Sequence, residues 1–200
     1  DCYYQLLKKK PKEVLVEIYS NLSEDLKSIK NSGVLNSKYL DKVLSYGEIL
    51  STKVISDYFS QKGILSEILN TTDVILTDNN FGNAYVYYQR SFDNIRNYLK
   101  SRSKLQIVTG FIGATEDGEI TTLGRNGSDY TASIIGAAIN ARDIEIWSDV
   151  DGVLSTNPKI TKNAKVISEL SYEEAMELAH AGAEVLFPPS IIPALYKNIP

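Results

Sequence analysis

Three places in the chain hold residues whose types and spacing suit chemistry. The first is Thr121–Tyr130, Thr-Thr-Leu-Gly-Arg-Asn-Gly-Ser-Asp-Tyr. Gly124 and Gly127 let the backbone approach a ligand with no side chain between. Ser128, Asp129 and the amides of a helix start make an anion-friendly corner. Arg125 can grip a carboxylate through two parallel hydrogen bonds, and Asp129 can orient such a group's partners or hold a metal ion. The same residues also suit an ordinary Ser-capped helix after a glycine turn. Neither a P-loop nor a dinucleotide fingerprint is present, since no Lys-Ser or Lys-Thr follows the glycines. The second place is Trp147–Lys159, where Asp149 and Asp151 stand two apart at an expected strand end. Carboxylates there suit a magnesium-bound polyphosphate; as simpler readings, Asp151-Gly152 is a common turn and Asn157-Pro158 a common loop start. The third is Glu48, in register with Leu44, Ile55 and Phe59. A carboxylate on that stripe needs a ligand amine or a buried arginine, unless it lies at the stripe's edge in water.

Helices and strands must hold these residues. Leu15, Ile18, Leu22, Leu26 and Ile29 recur at spacings of three and four, which predicts a helix over about 11–31, stopped by Gly33. A second helix is expected over about 38–61, interrupted at Gly47. Beyond Gly63 the texture changes, and strands are expected at 73–77, 84–88, 105–109 and 144–147. Asp117-Gly118 suits a hairpin turn. Ser91, Ser128 and Ser190 are each placed at a helix start. Ser171 and Glu174 form a capping box for a helix ending near Gly182, and 185–187 is a brief apolar run. Strands alternating with helices point to an α/β fold with a largely parallel sheet covered on both faces. In that architecture ligands gather at the carboxyl ends of strands, where the Gly- and Asp-rich segments fall. The expected organisation is a helical region over 1–62 followed by an α/β region over 63–200.

Composition narrows the classes. The 200 residues carry a formal charge of -4, which leaves no broad basic field for nucleic acid. The short run Lys8-Lys9-Lys10 with Lys12 reads as a solvated face or frayed end. One cysteine, Cys2, allows no internal disulfide or thiolate cluster, and the single histidine, His180, gives little for zinc. His180 reads as a helix-face residue. No apolar run approaches a membrane span, no signal peptide is visible, and the simplest compartment is the cytoplasm. The start at Asp1 and the end at Asn198-Ile199-Pro200, where another strand is expected to begin, read as the ends of an excised piece.

At these same segments the chain resembles a known family. Gly110-Phe-Ile-Gly113, Leu123–Tyr130, Ile146–Gly152 and Leu170–Ala179 resemble aspartate kinases of the amino-acid kinase superfamily, in order and in spacing. Ser45-Tyr-Gly-Glu48 is similar to the family's serine-x-glycine-glutamate segment, and Phe81-Gly-Asn-Ala84 also fits. The Arg-Asn-Gly-Ser-Asp form resembles enzymes fused to a homoserine dehydrogenase. The resemblance covers about residues 40 to 200.

It implies a three-layer α/β/α sandwich and transfer of the γ-phosphoryl of ATP, with Mg²⁺, to the side-chain carboxylate of L-aspartate. That reaction leads towards lysine, threonine and methionine. The resemblance assigns the substrate ammonium to Glu48, a substrate carboxylate to Arg125, substrate binding to Ser128 as well, and a place close to the transfer site to Asp129, with Asp129 and Arg125 as the catalytic residues. Ser148, Asp149, Gly152, Leu154 and Lys159 would line the nucleotide. It also implies a homo-oligomer with no nucleic-acid or membrane partner. The chain departs from the family pattern in several places. The family's opening lysine-phenylalanine-glycine-glycine-threonine-serine strand and its regulatory domains are absent, so the piece itself is expected to be inactive. Leu154 stands for a common tyrosine, Lys159 for arginine, Asn157 for aspartate, Glu184 for lysine and Phe187 for histidine. Kinases for glutamate, carbamate or nucleoside monophosphates, and an inactive kinase-like assembly domain, are the rival readings.

Overall fold

A computed structural model describes residues 2–10, 12–148, 151–156, 161, 163–180 and 188–200. Its first elements are helices α1 (Cys2–Leu7), α2 (Glu13–Ser32) and α3 (Ser37–Gln61). Helix α2 ends where Gly33 turns left-handed at φ 66°, its N–H meeting the Ile29 carbonyl. Asn36 then caps α3 by accepting from the Tyr39 N–H at 2.9 Å. The interruption expected at Gly47 does not occur: α3 runs unbroken through it. An interior glycine costs about 1 kcal/mol relative to alanine, and packing on both sides of α3 outweighs that. Leu50, Val54 and Tyr58 pack on Tyr3, Leu7 and Leu15. Asp25 of α2 accepts from Lys42 Nζ at 2.8 Å and from the Tyr46 hydroxyl at 2.7 Å. Burial together with the Asp25 carboxylate pushes the Tyr46 phenol up to about 12.

The strands lie between helices. Strand β1 (Ser66–Leu69) pairs in parallel with β2 (Leu105–Val108), matching Ile68 with Ile107 and Leu69 with Val108. Side chains alternate across a strand. Leu69 and Val108 therefore share one face, where they pack with Ile95 of α4 (Tyr88–Leu99) and Ile134 and Ala138 of α5 (Gly127–Ile139). Ile68 and Ile107 take the opposite face, and α3 packs against β1, β2 and β4. This is the helix–sheet–helix layering expected of the sequence. Strands β3 (Ile112–Ala114) and β4 (Ile120–Thr122) form an antiparallel hairpin. A parallel bridge from Leu76 to Ala114 carries the pairing on beyond β3.

Several expected boundaries shift, each for a local reason. The segments 73–77 and 84–88 are not strands but a 3-10 turn (Thr71–Asp73) followed by single bridges at Leu76 and Thr77. Ser91 does not cap α4, which already begins at Tyr88; its buried hydroxyl instead accepts the Leu76 N–H at 3.0 Å. That bond takes a donor a longer strand would have used. Residues 144–147 form no strand and join no ladder among the described residues; the Ile144 N–H goes to the Pro200 carbonyl at 2.9 Å. Strand β1 has no counterpart among the expected strands, because Ser-Glu-Ile-Leu is too short and half polar to show a period. The capping box is present, with Glu174 N–H on Ser171 Oγ at 3.1 Å and Ser171 N–H on Glu174 Oε2 at 2.8 Å, opening α6 (Tyr172–His180). Helix α7 (Pro188–Lys197) starts two residues before Ser190 and packs on α5. Gly182 and 185–187 lie outside the described residues. No helix among the described residues is long and apolar enough to cross a membrane.

Candidate active site

A buried hydroxyl network ties the ends of β1 and β2 to β3. Thr71 N–H donates to Thr109 Oγ1 at 2.8 Å, and Thr71 Oγ1 lies 2.6 Å from the Ile112 carbonyl. Between β2 and β3 the chain turns through Phe111, whose φ of 71° is left-handed although it carries a bulky side chain. Its N–H donates to Thr131 Oγ1 at 2.9 Å, and its carbonyl accepts the Leu123 N–H at 2.9 Å. Helix α5 and the segment before it are thus fixed against the strand ends.

The approach is close enough to require glycine. A Cβ on Gly110 would lie 3.0 Å from Ser128 Cβ and 4.0 Å from Glu48 Oε2. One on Gly127 would lie 2.5 Å from Phe111 Cδ2 and 3.1 Å from Phe111 Cα. Glu48 of α3, Gly110 after β2 and Ser128 of α5 therefore meet, although the sequence separates them widely. The Glu48 side chain meets no cation among the described residues, and burial pushes its carboxyl above the usual range.

The segment between β4 and α5 is Leu123-Gly-Arg-Asn126. Gly124 and Asn126 are both left-handed, at φ 77° and 52°, so the chain reverses around an exposed Arg125. Asn126, not Ser128, precedes the first turn of α5, and it makes no side-chain cap bond. Its amide reaches Asp129 Oδ2 at 3.3 Å instead. The reading of Ser128 as a cap is thereby replaced: Ser128 is a residue of the first turn, exposed beside Gly110. The amides of that first turn and the guanidinium of Arg125 favour anionic ligand groups, while the Glu48 carboxylate favours a cationic one.

The residues expected at a nucleotide lie in a different segment. Gly152 has φ 135°, and Leu154 pairs with Val166 through Ser155 N–H to the Lys165 carbonyl (2.8 Å) and Ile167 N–H to the Val153 carbonyl (2.8 Å). Ser148 is exposed. Asp149, Lys159, Asn157, Glu184 and Phe187 lie outside the described residues. Among the described residues, no group of three or more carboxylates, histidines or cysteines could hold a metal ion.

The sequence reading misses Asp41 and gives Asn83, quoted only within Phe81-Gly-Asn-Ala84, no role. Asp41, fully buried on α3, accepts from Gly82 N–H (2.9 Å), Thr122 N–H (2.8 Å) and Thr122 Oγ1 (2.8 Å). Asn83 lies against Gly124, where an added Cβ would come 2.3 Å from Asn83 Oδ1. One signal was available: Asp41, Ser45, Glu48 and Thr52 recur at spacings of four, three and four, a polar stripe on one helix face.

Fold and site together define the class. The model of the amino acid kinase family matches residues 5–200, and the chain belongs to that family. Similar proteins include aspartokinases. A Bacillus subtilis aspartokinase 3 is 38% identical over 185 residues, covering 92% of this chain and 40% of its own length. An Arabidopsis thaliana chloroplastic bifunctional aspartokinase/homoserine dehydrogenase 2 is 36% identical over 189 residues, covering 90% of this chain and 20% of its own. An E. coli aspartokinase III structure, in complex with aspartate and ADP in the R-state, superposes with a TM-score of 0.88 at 31% identity. It covers 97% of this chain and 44% of the E. coli chain. The chain thus spans well under two thirds of the length of each of these relatives.

Proposed function

We propose that this chain is part of the kinase domain of an aspartokinase. The protein that carries it would transfer the γ-phosphoryl of ATP, supplied as its magnesium complex, to the side-chain carboxylate of L-aspartate. A bond forms between a carboxylate oxygen and the γ-phosphorus, the bond to the β-phosphate oxygen breaks, and ADP leaves. The observation that carries the reading is the half-buried Glu48 carboxylate, which comes within 4.0 Å of a Cβ position on Gly110, itself against Ser128. A buried carboxylate with no cation among the described residues suits a ligand ammonium. The neighbouring Arg125 and helix start suit the carboxylates of the same ligand.

In this reading Glu48 holds the ammonium, Arg125 a carboxylate, and Ser128 the substrate through its hydroxyl and amide. Asp129, oriented by the Asn126 amide, lies beside the group that receives phosphate. Ser148, Asp149, Gly152, Leu154 and Lys159 line the nucleotide. No covalent enzyme intermediate is required. Alignment and neutralisation of charge on the transferring group supply the rate. An aspartokinase of this kind acts on the way to lysine, threonine and methionine, as an oligomer or fused to homoserine dehydrogenase.

The test is trapping of the acyl phosphate. The full protein carrying this chain, given ATP, Mg²⁺, L-aspartate and hydroxylamine, yields aspartyl hydroxamate, while L-glutamate or carbamate in place of aspartate yields no trapped or phosphorylated product. Arg125→Ala raises the aspartate KM by about tenfold or more, as expected when a substrate carboxylate loses a charged partner. An absence of hydroxamate from the unaltered protein rejects the activity, and an unchanged KM rejects the role given to Arg125.

A further inference from the structure

We propose that Asp41 is a positioning residue for substrate recognition, acting through Gly82 and Thr122 on the segment that carries Arg125. The proposal rests on the reading of Glu48 and Arg125 given above.

The carboxylate is fully buried and takes donors from two separate stretches of chain. Gly82 directly precedes Asn83, and Thr122 directly precedes Leu123-Gly124-Arg125. By accepting Gly82 N–H and Thr122 N–H on the same oxygen, at 2.9 and 2.8 Å, Asp41 fixes the distance between those stretches. That distance sets how Asn83 Oδ1 lies against Gly124, and Gly124 sets the direction of Arg125.

Other bonds already hold the 79–84 turn in existence. Asp78 Oδ1 accepts from Asn80 N–H at 3.1 Å and Tyr85 N–H at 2.9 Å, and Ala84 N–H reaches the Thr122 carbonyl at 3.0 Å. A further pair, Lys38 with Glu119, ties α3 to the tip of the hairpin. Asp41 is thus not needed for the turn to form. Its contribution is where the turn and β4 stand relative to α3, the helix that carries Glu48 about two turns further on. One helix face therefore supplies Glu48 for the ammonium and the clamp that aims Arg125 at a carboxylate.

The bond pattern predicts an unusual ranking of variants. In Asp41→Asn the amide oxygen can accept both backbone N–H groups, and the amide nitrogen can donate to the Thr122 hydroxyl, which also accepts. Asp41→Ala leaves three donors without their acceptor. The experiment compares the full protein with Asp41→Asn, Asp41→Ala and Thr122→Val, reading the KM for aspartate and for ATP and hydrogen exchange of 79–84 and 121–127. Asp41→Ala is expected to raise the aspartate KM about ten- to a hundredfold, as small misplacements of a positioning group do. The ATP KM stays within about twofold, Asp41→Asn within about threefold of the unaltered enzyme for both substrates, and both segments exchange faster in Asp41→Ala.

A parallel rise in both KM values, or an Asp41→Ala enzyme with normal aspartate KM, overturns the proposal. So does an Asp41→Asn enzyme as impaired as Asp41→Ala. If Asp41→Ala does not fold, Thr122→Val decides, because it removes the hydroxyl donor that holds Asp41 Oδ1 and so frees the carboxylate to turn: a selective rise in the aspartate KM supports the clamp, and no change overturns it. If the unaltered protein phosphorylates no aspartate, the functional reading fails by itself. Exchange in the two segments then judges the clamp, with unchanged rates in Asp41→Ala or Thr122→Val rejecting it.

Discussion

Gly124→Ala isolates the backbone contribution to the site. Gly124 has φ 77°, and left-handed geometry costs an L-residue about 1–2 kcal/mol. A Cβ there would also lie 2.3 Å from Asn83 Oδ1, the free end of a side chain that can swing away. Forcing Asn83 off its rotamer adds about 0.5–1.5 kcal/mol, for a total of about 1.5–3.5 kcal/mol. In a domain of this size that lowers Tm by about 3–14 °C. Arg125 follows at once in the chain, so the aspartate KM is expected to rise by about tenfold. Thermal unfolding and steady-state kinetics on Gly124→Ala, Asn83→Ala and the double variant form a cycle. The double variant recovers the clash but not the dihedral cost, so it regains about half of the lost stability. A Gly124→Ala protein with unaltered Tm and KM would refute the reasoning. Full recovery in the double variant would show that the backbone cost is misjudged.

Two other outcomes follow from the same geometry. Burial holds the Glu48 carboxyl above the usual glutamate range, so its ionised form is disfavoured by folding and becomes neutral at a higher pH than an exposed glutamate. The aspartate KM therefore rises as pH falls through that raised value. Glu48→Gln removes this limb and weakens aspartate binding at neutral pH, yet its Tm there equals or exceeds that of the unaltered protein. A Glu48→Gln profile with the limb intact assigns it to another group. Thr109→Val leaves the buried Thr71 N–H without its acceptor, and urea unfolding should show a loss of about 1–3 kcal/mol; equal stability contradicts the role given to that network.

The long helices were legible because apolar residues recur at spacings of three and four, yet Leu26, Leu40, Leu44 and Ile55 on those stripes are exposed and the buried positions of α3 are the polar Asp41, Ser45 and Thr52. The layering of helices about the strands followed from their alternation. Short strands were less legible, since β1 has four residues and its pairing partner lies about forty residues away. The hydroxyl of Ser91 was read as a helix cap, yet it bonds the backbone of Leu76. Only the folded chain reveals such a partner. In the site, Glu48, Arg125, Ser128 and Asp129 stood out by type and by resemblance to a family. Asp41 did not, because a buried aspartate and a solvated one look alike until the donors around them are known.

The continuity of α3 through Gly47 gives the site a mechanical property. A 25-residue helix is about 37 Å long, and its hydrogen-bonded course runs on through Gly47 without a break. Asp41 and Glu48 ride on that helix together. A tilt of its C-terminal half, where Leu50, Val54 and Tyr58 seat against the first two helices, would move Glu48 and Asp41 together as one lever. On the proposed reading, a load that α1 and α2 receive from elsewhere in the protein would reach the ammonium partner and the clamp on the Arg125 segment together.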